Sequence, residues 1–263
     1  MDTISKLLIE LKNQGKTAFI PFITAGDQNL DLTRELVFAL EKGGADIIEL
    51  GVPFSDPLAD GPIIQRASER ALASGTSLLK IIDFVKDIRT QSNIPIVLMS
   101  YVNPIFRLGF KMTISKAVEA GINGFIIPDL PPEEADSLIE FGLKNKVAII
   151  FFLAPTSSEK RIVLVSKKST GYIYYVSVTG VTGTRKTLDS SLKDQLSSIH
   201  KFTKKPIAVG FGISNPKQAK EVSKYADAVI IGSAIVKIIE SKGKSKDIVS
   251  KVEKFAKDIK KAL

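Results

Sequence analysis

The stretch "ADIIELGVPFSDPLADGP", residues 45–62, joins a short apolar run to a loop with three prolines. The run is continuously apolar rather than alternating, which predicts a strand buried on both faces, as in a parallel sheet covered by helices. Prolines and glycines at this density end the strand and predict a stiff loop. The strand therefore carries Glu49 towards the protein interior, and the loop carries Asp56 and Asp60.

The chain contains seven further apolar runs, which are AFIPFITAG, IPIVLMS, GFIIPD, VAIIFFLAP, GYIYYVSV, KPIAVGFG and DAVIIGSA. The segments between the runs show helical periodicity. Eight strand–helix units in 263 residues predict a (β/α)8 barrel, and a doubly wound open sheet is the alternative. We expect a single domain over residues 1–263, because no linker or change in composition divides the chain. The segment "LLIELKNQG" before the first strand predicts an extra helix.

Composition excludes several classes of chemistry. There is no cysteine, so disulfides, thiolate metal sites and a cysteine nucleophile are absent. The one histidine, His200, precedes the seventh predicted strand, at the barrel end opposite to the usual position of catalysis. We therefore expect neither a histidine-based triad nor a metal site.

The net charge of +9 is compatible with nucleic-acid binding, but the lysines are spread along the chain. Those of the last segment, residues 241–263, lie between apolar residues at helical spacing, which indicates an amphipathic helix docked on the core. The start of the chain carries charges, and no apolar run approaches the ~20 residues of a membrane span. We expect a cytoplasmic protein that binds neither nucleic acid nor a membrane.

Barrel enzymes place their chemistry at the carboxyl ends of the strands, and Glu49 stands at such an end. Ionising a buried carboxyl group is costly, so burial raises its pKa towards the range of a general acid–base. The alternative is a glutamate at the strand tip that reaches water or a surface lysine. Asp56, Asp60 and Asp129 have stronger structural alternatives, because aspartate is common in turns and as a helix cap.

The ends of the last two predicted strands, "AVGFGISNP" and "AVIIGSAIV", carry glycines where a helix begins. Glycine lets a backbone approach a ligand closely, and amides at a helix N-terminus attract anions. In barrels these two loops are a frequent phosphate site. We predict such a site at Gly210, Gly212, Gly232 and Ser233, with Gly183 in the loop after the sixth strand closing over the same group. Tight turns alone are the structural alternative.

Several mechanisms are excluded by what the strands lack. No strand carries a lysine in its interior or at its carboxyl end, which removes a Schiff-base aldolase. No Gly-x-Ser-x-Gly occurs, and no dinucleotide-binding glycine motif follows the first strand. The remaining hypothesis is a phosphate-anchored small substrate and carboxylate acid–base catalysis without an evident cofactor.

The signature "IELGVPFSDPLADGP" resembles that of the tryptophan synthase alpha subunit family. So do, in order along the whole chain, PFITAGD, YVNPIF, PDLPPEEA, LAPTSS, SVTGVTGTR and GFGIS. The resemblance implies a (β/α)8 barrel that cleaves indole-3-glycerol phosphate to indole and glyceraldehyde 3-phosphate without a cofactor of its own. It also implies a beta subunit in an alpha2-beta2 heterotetramer, where pyridoxal phosphate serves to join indole to serine.

The resemblance also implies roles for individual residues. It makes Glu49 and Asp60 catalytic, and it assigns phosphate binding to Gly183, Gly212, Gly232 and Ser233. The implied indole pocket consists of Phe22, Ile64, Ile127 and Tyr174, and the implied surface for the beta subunit includes Pro53 and Asp56. Two alternatives stay open: a stand-alone indole-3-glycerol phosphate lyase, and a catalytically silent regulator of the beta subunit.

Overall fold

The computed structural model describes residues 1–176, 189–210, 212–241 and 245–263. The strands are β1 Ala18–Thr24, β2 Ile48–Gly51, β3 Ile96–Met99, β4 Gly124–Ile126, β5 Ala148–Ile150, β6 Phe152–Leu153, β7 Ile173–Val176, β8 Ile207–Gly210 and β9 Ala228–Ile231. The helices are α1 Thr3–Asn13, α2 Leu30–Lys42, α3 Pro62–Ala73, α4 Leu78–Ile88, α5 Val102–Leu108, α6 Phe110–Ala120, α7 Asp136–Asn145, α8 Glu159–Lys168, α9 Asp189–His200, α10 Pro216–Ser223, α11 Ser233–Glu240 and α12 Ser245–Lys260.

All the strand pairs are parallel, and the strand order follows the chain around a ring, β5-β4-β3-β2-β1-β9-β8-β7-β6. The two segments at the ends of this order, β5 and β6, are separated only by Phe151, whose carbonyl accepts a hydrogen bond from the amide of Tyr174 (3.0 Å). The fifth predicted strand is thus interrupted at one residue and pairs on both sides, which closes the ring. The predicted barrel is confirmed, and the open doubly wound sheet is excluded.

Two apolar layers hold the barrel together. One lies between the strands and the surrounding helices, and the other fills the barrel interior with residues of alternate strand positions, including Ile20, Val97 and Ile126. The predicted N-terminal helix is confirmed as α1, which places Ile4 and Leu8 into the interior layer with exposures of 0% and 1%. Burying each of these side chains contributes ~1.5–3 kcal/mol, so α1 acts as a plug of the barrel interior.

The helices α3 and α11 are additions to the ring of helices around the barrel. In α3, Pro62 occupies the first helical position, and the buried residues Ile64, Ala67, Ser68 and Ala71 follow at helical spacing. The two helices pack against each other and against β1, where Ile64, Ala67 and Val236 surround Phe22. They therefore lie beside the carboxyl end of β1. Among the described residues, no helix is long and apolar enough to cross a membrane.

Candidate active site

Glu49 lies in β2 between Phe22 of β1 and Val97 of β3, and its exposed fraction is 0%. The Tyr172 hydroxyl donates a hydrogen bond to Oε1, while Oε2 has no hydrogen-bond partner among the described residues. Burial raises the pKa of Glu49 from 4.5 to about 8, and the bond from Tyr172 offsets part of this shift. The alternative of a solvated carboxylate at the strand tip is therefore wrong. At pH 7 the side chain is a neutral acid inside the barrel.

Asp60 lies in the loop between β2 and α3 and is half-buried. The Tyr101 hydroxyl donates to its Oδ2 (3.0 Å) and accepts from the amide of Ala59 (2.9 Å), so Tyr101 orients the carboxylate and its loop together. Burial raises the pKa of Asp60 to about 6, against the lowering effect of the Tyr101 bond. Asp60 does not cap α3, because the N-cap residue is Gly61 and no side chain makes the cap bond.

Tyr174 connects the two carboxyl groups electrostatically. Burial raises the pKa of its hydroxyl well above the ordinary value, and the charges of Glu49 and Asp60 raise it further. Both carboxyl groups therefore lie close enough to act on the same hydroxyl. The structure thus brings the two predicted catalytic residues to one region at the carboxyl ends of the strands.

The apolar walls of this region come from several strand ends. The ring of Phe22 lies against the backbone of Gly51, where an added Cβ would come within 2.5 Å of its Cζ atom. Tyr174 packs at 4.8 Å (ring centroids) on Phe152. Met99 contacts both the cluster of Phe22 and Ile64 and the interior cluster that contains Tyr174. Three of the four predicted pocket residues, Phe22, Ile64 and Tyr174, are thus assembled around one apolar space.

The fourth predicted pocket residue, Ile127, is not part of this space. It packs in the layer between strands and helices, whereas Ile126 belongs to the interior cluster with Tyr172 and Tyr174. Successive residues of a strand point to opposite faces, so neighbouring residues face different layers. The structure therefore places Ile126, rather than Ile127, in the interior layer with Tyr174.

The predicted anion-binding residues lie at the ends of β8 and β9. Gly212 has a φ of +78°, which L side chains rarely adopt. Gly232 is the N-cap residue of α11 and Ser233 is its first, exposed residue; the amides of this first turn lack intrahelical acceptors. Gly210 has a packing reason, since a Cβ there would lie 2.5 Å from the Tyr174 hydroxyl oxygen. Gly183 lies outside the described residues.

The loop residues predicted to face a partner differ in exposure. Asp56 is exposed, and Leu58 nearby has an exposed fraction of 94%. Pro53 is buried, so the expectation that it is exposed is wrong, while its contact with a partner stays a prediction. It follows the end of β2 after a single residue, Val52. Asp129, predicted as a possible cap of the helix after it, accepts instead from the amide of Val102 (2.8 Å) at the start of α5.

A cavity of about 590 Å³ lies at the opposite end of the barrel, lined by residues that include Asp2, Ile9, Lys146, Phe202 and Lys205. These residues belong to α1 and its N-cap and to segments before strands, so the cavity is separate from the carboxyl groups. Within the described ranges, no group of three histidine, cysteine, aspartate or glutamate side chains is placed to hold a metal ion.

Two side chains that hold the carboxyl groups are not among the site residues predicted from the sequence. Tyr172 holds Glu49, and Tyr101 holds Asp60. Tyr101 is stacked on Phe54 of the proline-rich loop (ring centroids 5.1 Å apart). The run "GYIYY" does contain a signal for Tyr172. Tyr172 is two residues before Tyr174, and alternate residues of a strand point to the same face, so both hydroxyl groups face the barrel interior. A hydroxyl buried there requires a polar partner.

The buried Glu49 makes stability depend on pH. Its pKa is about 8 in the folded protein against an ordinary 4.5, so between these pH values the folded state holds a proton that the unfolded state has lost. Its contribution is therefore most favourable below pH 4.5 and falls up to pH 8, by at most about 1.4 kcal/mol per pH unit. We expect the melting temperature of Glu49→Gln to exceed that of the parent increasingly from pH 5 to pH 8. Exposed Glu140→Gln is the control. A difference that stays constant with pH would contradict a raised pKa.

A closed barrel with two carboxyl groups of raised pKa at the carboxyl ends of its strands defines the class of protein, an α/β-barrel enzyme with carboxylate acid–base groups. The family model described as "Tryptophan synthase alpha chain" matches residues 8–263. The chain belongs to the tryptophan synthase alpha chain family, which cleaves indole-3-glycerol phosphate in tryptophan biosynthesis.

Individual relatives agree along the whole length. The tryptophan synthase alpha chain of Synechococcus elongatus is 49% identical over 244 residues, which cover 92% of each chain. The structure of tryptophan synthase subunit alpha from Legionella pneumophila superimposes with a TM-score of 0.92 at 39% identity, covering 100% of this chain and 98% of that one. A chain from the structure of the tryptophan synthase a2b2 complex of Pyrococcus furiosus superimposes with a TM-score of 0.86 at 35% identity. This match covers 92% of this chain and 97% of that one.

Proposed function

We propose that this chain cleaves indole-3-glycerol phosphate to indole and glyceraldehyde 3-phosphate, with Glu49 as the proton donor and acceptor and Asp60 as the partner of the ring nitrogen. The observation that carries the proposal is the wholly buried Glu49 carboxyl group with a pKa of about 8. It is a neutral acid at pH 7, among strand ends that carry the apolar side chains of Phe22 and Tyr174. The second carboxyl group, Asp60, lies close enough to raise the pKa of the same Tyr174 hydroxyl that Glu49 affects.

The substrate has no carbonyl group next to the bond that breaks, so the indole ring must act as the electron sink. Glu49 donates its proton to ring carbon 3, and positive charge develops on the ring nitrogen. The carboxylate then takes the proton of the side-chain hydroxyl, the carbon–carbon bond breaks into the ring, and an aldehyde forms. This sequence returns the proton to Glu49 and restores neutral indole. It requires no cofactor in this chain.

Asp60 suits the second role because one of its oxygens is already held. Tyr101 donates to Oδ2, which leaves Oδ1 to accept from the ring N–H. With a pKa of about 6, Asp60 is ionised at pH 7, while Glu49 is still protonated. The two carboxyl groups thus hold the two protonation states that the reaction needs at the same pH, because their environments raise their pKa values to different extents.

The phosphate end of the substrate is assigned to Gly212, Gly232 and Ser233, together with Gly183 outside the described residues. The support is the helix N-terminus of α11, whose first amides and dipole attract an anion, and the open backbone at Gly212. The apolar walls of Phe22, Ile64, Tyr174 and Ile126 would hold the indole ring at the other end.

Gly212→Ala tests the anion site. The added Cβ is strained at a φ of +78° and blocks approach of the phosphate, so the Kd of glycerol phosphate is expected to rise about tenfold, equivalent to ~1.4 kcal/mol. Titration calorimetry measures this Kd directly. Gly15→Ala is the matched control, because its φ is +68°, nothing lies within 4 Å of the added Cβ, and it follows α1 at the other end of the barrel. An unchanged Kd in Gly212→Ala would remove Gly212 from the site.

The partner assigned to this chain is a tryptophan synthase beta subunit in an alpha2-beta2 complex, in which pyridoxal phosphate joins indole to serine. Support comes from the a2b2 complex of the Pyrococcus furiosus relative and from the exposed Asp56 and Leu58 in the proline-rich loop. A stiff loop loses little conformational entropy when it docks. The chain is proposed to act as a single domain in the cytoplasm.

Asp56→Ala is expected to reduce stimulation of indole release by the beta subunit several-fold, while the turnover of the isolated chain stays near that of the parent. The physical reason is that Asp56 is exposed and lies outside the pocket, so it loses a contact with the partner and none with the substrate. Exposed Asp83→Ala, on α4, controls for the loss of a surface charge. Equal losses with and without the beta subunit would place Asp56 in the chemistry.

An indole-release assay with and without beta subunit tests the proposed function as a whole. Weak activity of the isolated chain that rises sharply with beta subunit is the expected result. Full activity of the isolated chain and no stimulation would instead indicate the stand-alone lyase. No indole release in either condition would indicate the silent regulator, which the presence of both carboxyl groups disfavours.

A further inference from the structure

A network of ion pairs lies beside the site and is not used by the mechanism above. Arg70 of α3 donates through Nε and Nη2 to the two carboxylate oxygens of Asp27 (2.6 and 2.9 Å). Its third nitrogen, Nη1, donates to Glu240 at the end of α11 (3.1 Å). Arg66, one turn earlier in α3, also holds Glu240 through two bonds (2.6 and 3.0 Å). The network therefore joins α3, α11 and the loop after β1.

Asp27 distinguishes this network from ordinary surface ion pairs, because it is buried. Asp27 has an exposed side-chain fraction of 1%, against 30% for Arg70 and 27% for Glu240. Hydrogen bonds from Arg66 and Arg70 lower the pKa of Glu240 to about 2, so this carboxylate stays ionised throughout the working pH range. A buried carboxylate held by both prongs of a guanidinium group has a fixed distance and a fixed angle to its partner.

Both helices in this network begin at the site. Asp60 lies two residues before Pro62, the first residue of α3, and Gly232 directly precedes the first residue of α11. The ionic contacts lie near the other ends of the two helices, at Arg70 and Glu240. A rotation of α3 about its far end would therefore move Asp60 away from the anion-binding amides. A rotation of α11 about its far end would move those amides away from Asp60.

Further contacts show that the loop after β1 is the common support. Gln28 donates to the carbonyl of Ile239 in α11 (2.9 Å), and Ser74 at the end of α3 donates to the carbonyl of Gly26 (3.1 Å). These bonds hold each helix to the loop separately. Arg70 contacts Asp27 of the loop and Glu240 of α11 at once, and it thereby couples the positions of all three segments.

We propose that Arg70 is a positioning residue for the reaction: by bridging Asp27 and Glu240, it holds α3 and α11 in the mutual orientation that fixes the position of Asp60 relative to the anion-binding amides at the start of α11. The inference rests on the proposed roles of Asp60, Gly212 and Gly232. It predicts that Arg70 affects the rate of the chemical step and the affinity for the anion without touching the substrate itself.

Arg70→Met keeps the length of the side chain and removes the fork. We expect kcat per folded molecule to fall about 10- to 100-fold, since a misplacement of about 1 Å can cost a factor of that size. The Kd of glycerol phosphate should rise several-fold. Indole release and calorimetry measure the two quantities, at a temperature where circular dichroism shows the variant to be folded. Arg34→Met is the matched control: Arg34 has a similar exposure of 35% and contacts two carboxylates, Asp31 and Asp87, away from the site.

The double variant Asp27→Asn/Arg70→Met separates positioning from stability. Arg70→Met alone leaves Asp27 as an unpaired buried carboxylate, which lowers the melting temperature. The double variant removes that charge, so its melting temperature should recover towards the parent value, while kcat stays low. If kcat recovers together with the melting temperature, or if Arg70→Met keeps the parent kcat per folded molecule, Arg70 is a structural residue only and the inference is overturned.

Asp60→Asn and Gly212→Ala are measured in the same assays. If Asp60→Asn loses turnover and Gly212→Ala loses anion affinity while Arg70→Met retains both, only the positioning role of Arg70 is overturned. If Asp60→Asn retains turnover and Gly212→Ala retains anion affinity, the proposed site is wrong, and the role of Arg70 is overturned with it.

Discussion

Glu49→Gln is expected to lower kcat by at least ~10²–10⁴-fold. The loss of an acid–base group commonly lowers the rate by that factor, and Glu49 serves two proton transfers. The amide can neither donate an acidic proton to ring carbon 3 nor accept one from the hydroxyl. It has nearly the shape of the protonated carboxyl group that the buried site already favours, so the fold and the substrate affinity should be retained. Single-turnover measurement of indole release reports the chemical step directly.

Two comparisons make this result specific. Glu140→Gln on the exposed face of α7 should leave turnover unchanged. Tyr172→Phe removes the donor to Oε1 but leaves the acid in place, so its effect should be much smaller than that of Glu49→Gln. A turnover of Glu49→Gln within tenfold of the parent would refute the role of this residue. A melting temperature far below that of the parent would show that the carboxyl group is structural.

Asp60→Asn has the second largest expected effect, a loss of roughly 10²-fold in kcat, comparable to the removal of one group that stabilises transition-state charge. The charge on the ring nitrogen develops only as the bond breaks, so the loss should appear in kcat more than in substrate affinity. The effect is smaller than that of Glu49→Gln because the amide oxygen still accepts from the ring N–H. Equal kcat in Asp60→Asn and the parent would contradict this role.

The pH profile identifies Asp60 independently. The active form has Asp60 ionised and Glu49 protonated, so kcat/KM is expected to rise near pH 6 and to fall near pH 8. Asp60→Asn should lose the acid limb and keep the alkaline one. Tyr101→Phe should retain the acid limb but move it to higher pH, because the hydrogen bond from Tyr101 lowers the pKa of Asp60. An acid limb that persists unchanged in Asp60→Asn would belong to another group.

The sequence alone determined the architecture and the burial of Glu49. Continuous apolar runs and helical periodicity are local properties, so eight strand units, the plug helix α1 and the terminal helix α12 could be predicted one segment at a time. The position of Glu49 at the end of a doubly buried strand was enough to predict burial, and with it a raised pKa. Whether Gly212 and Ser233 bind the phosphate stays a prediction.

Only the tertiary structure decided how the site is held together. Tyr172 is 123 positions from Glu49, and Tyr101 is 41 from Asp60, so no local pattern reveals either bond. The burial of Pro53 and the placement of Ile126 rather than Ile127 in the interior layer depend on which face each backbone segment turns to its neighbours. The bridge of Arg70 between Asp27 and Glu240 likewise joins residues 43 and 170 positions away. Closure of the ring brings such residues together, because side-chain hydrogen bonds and ion pairs depend on distances of about 3 Å in space rather than on separation along the chain.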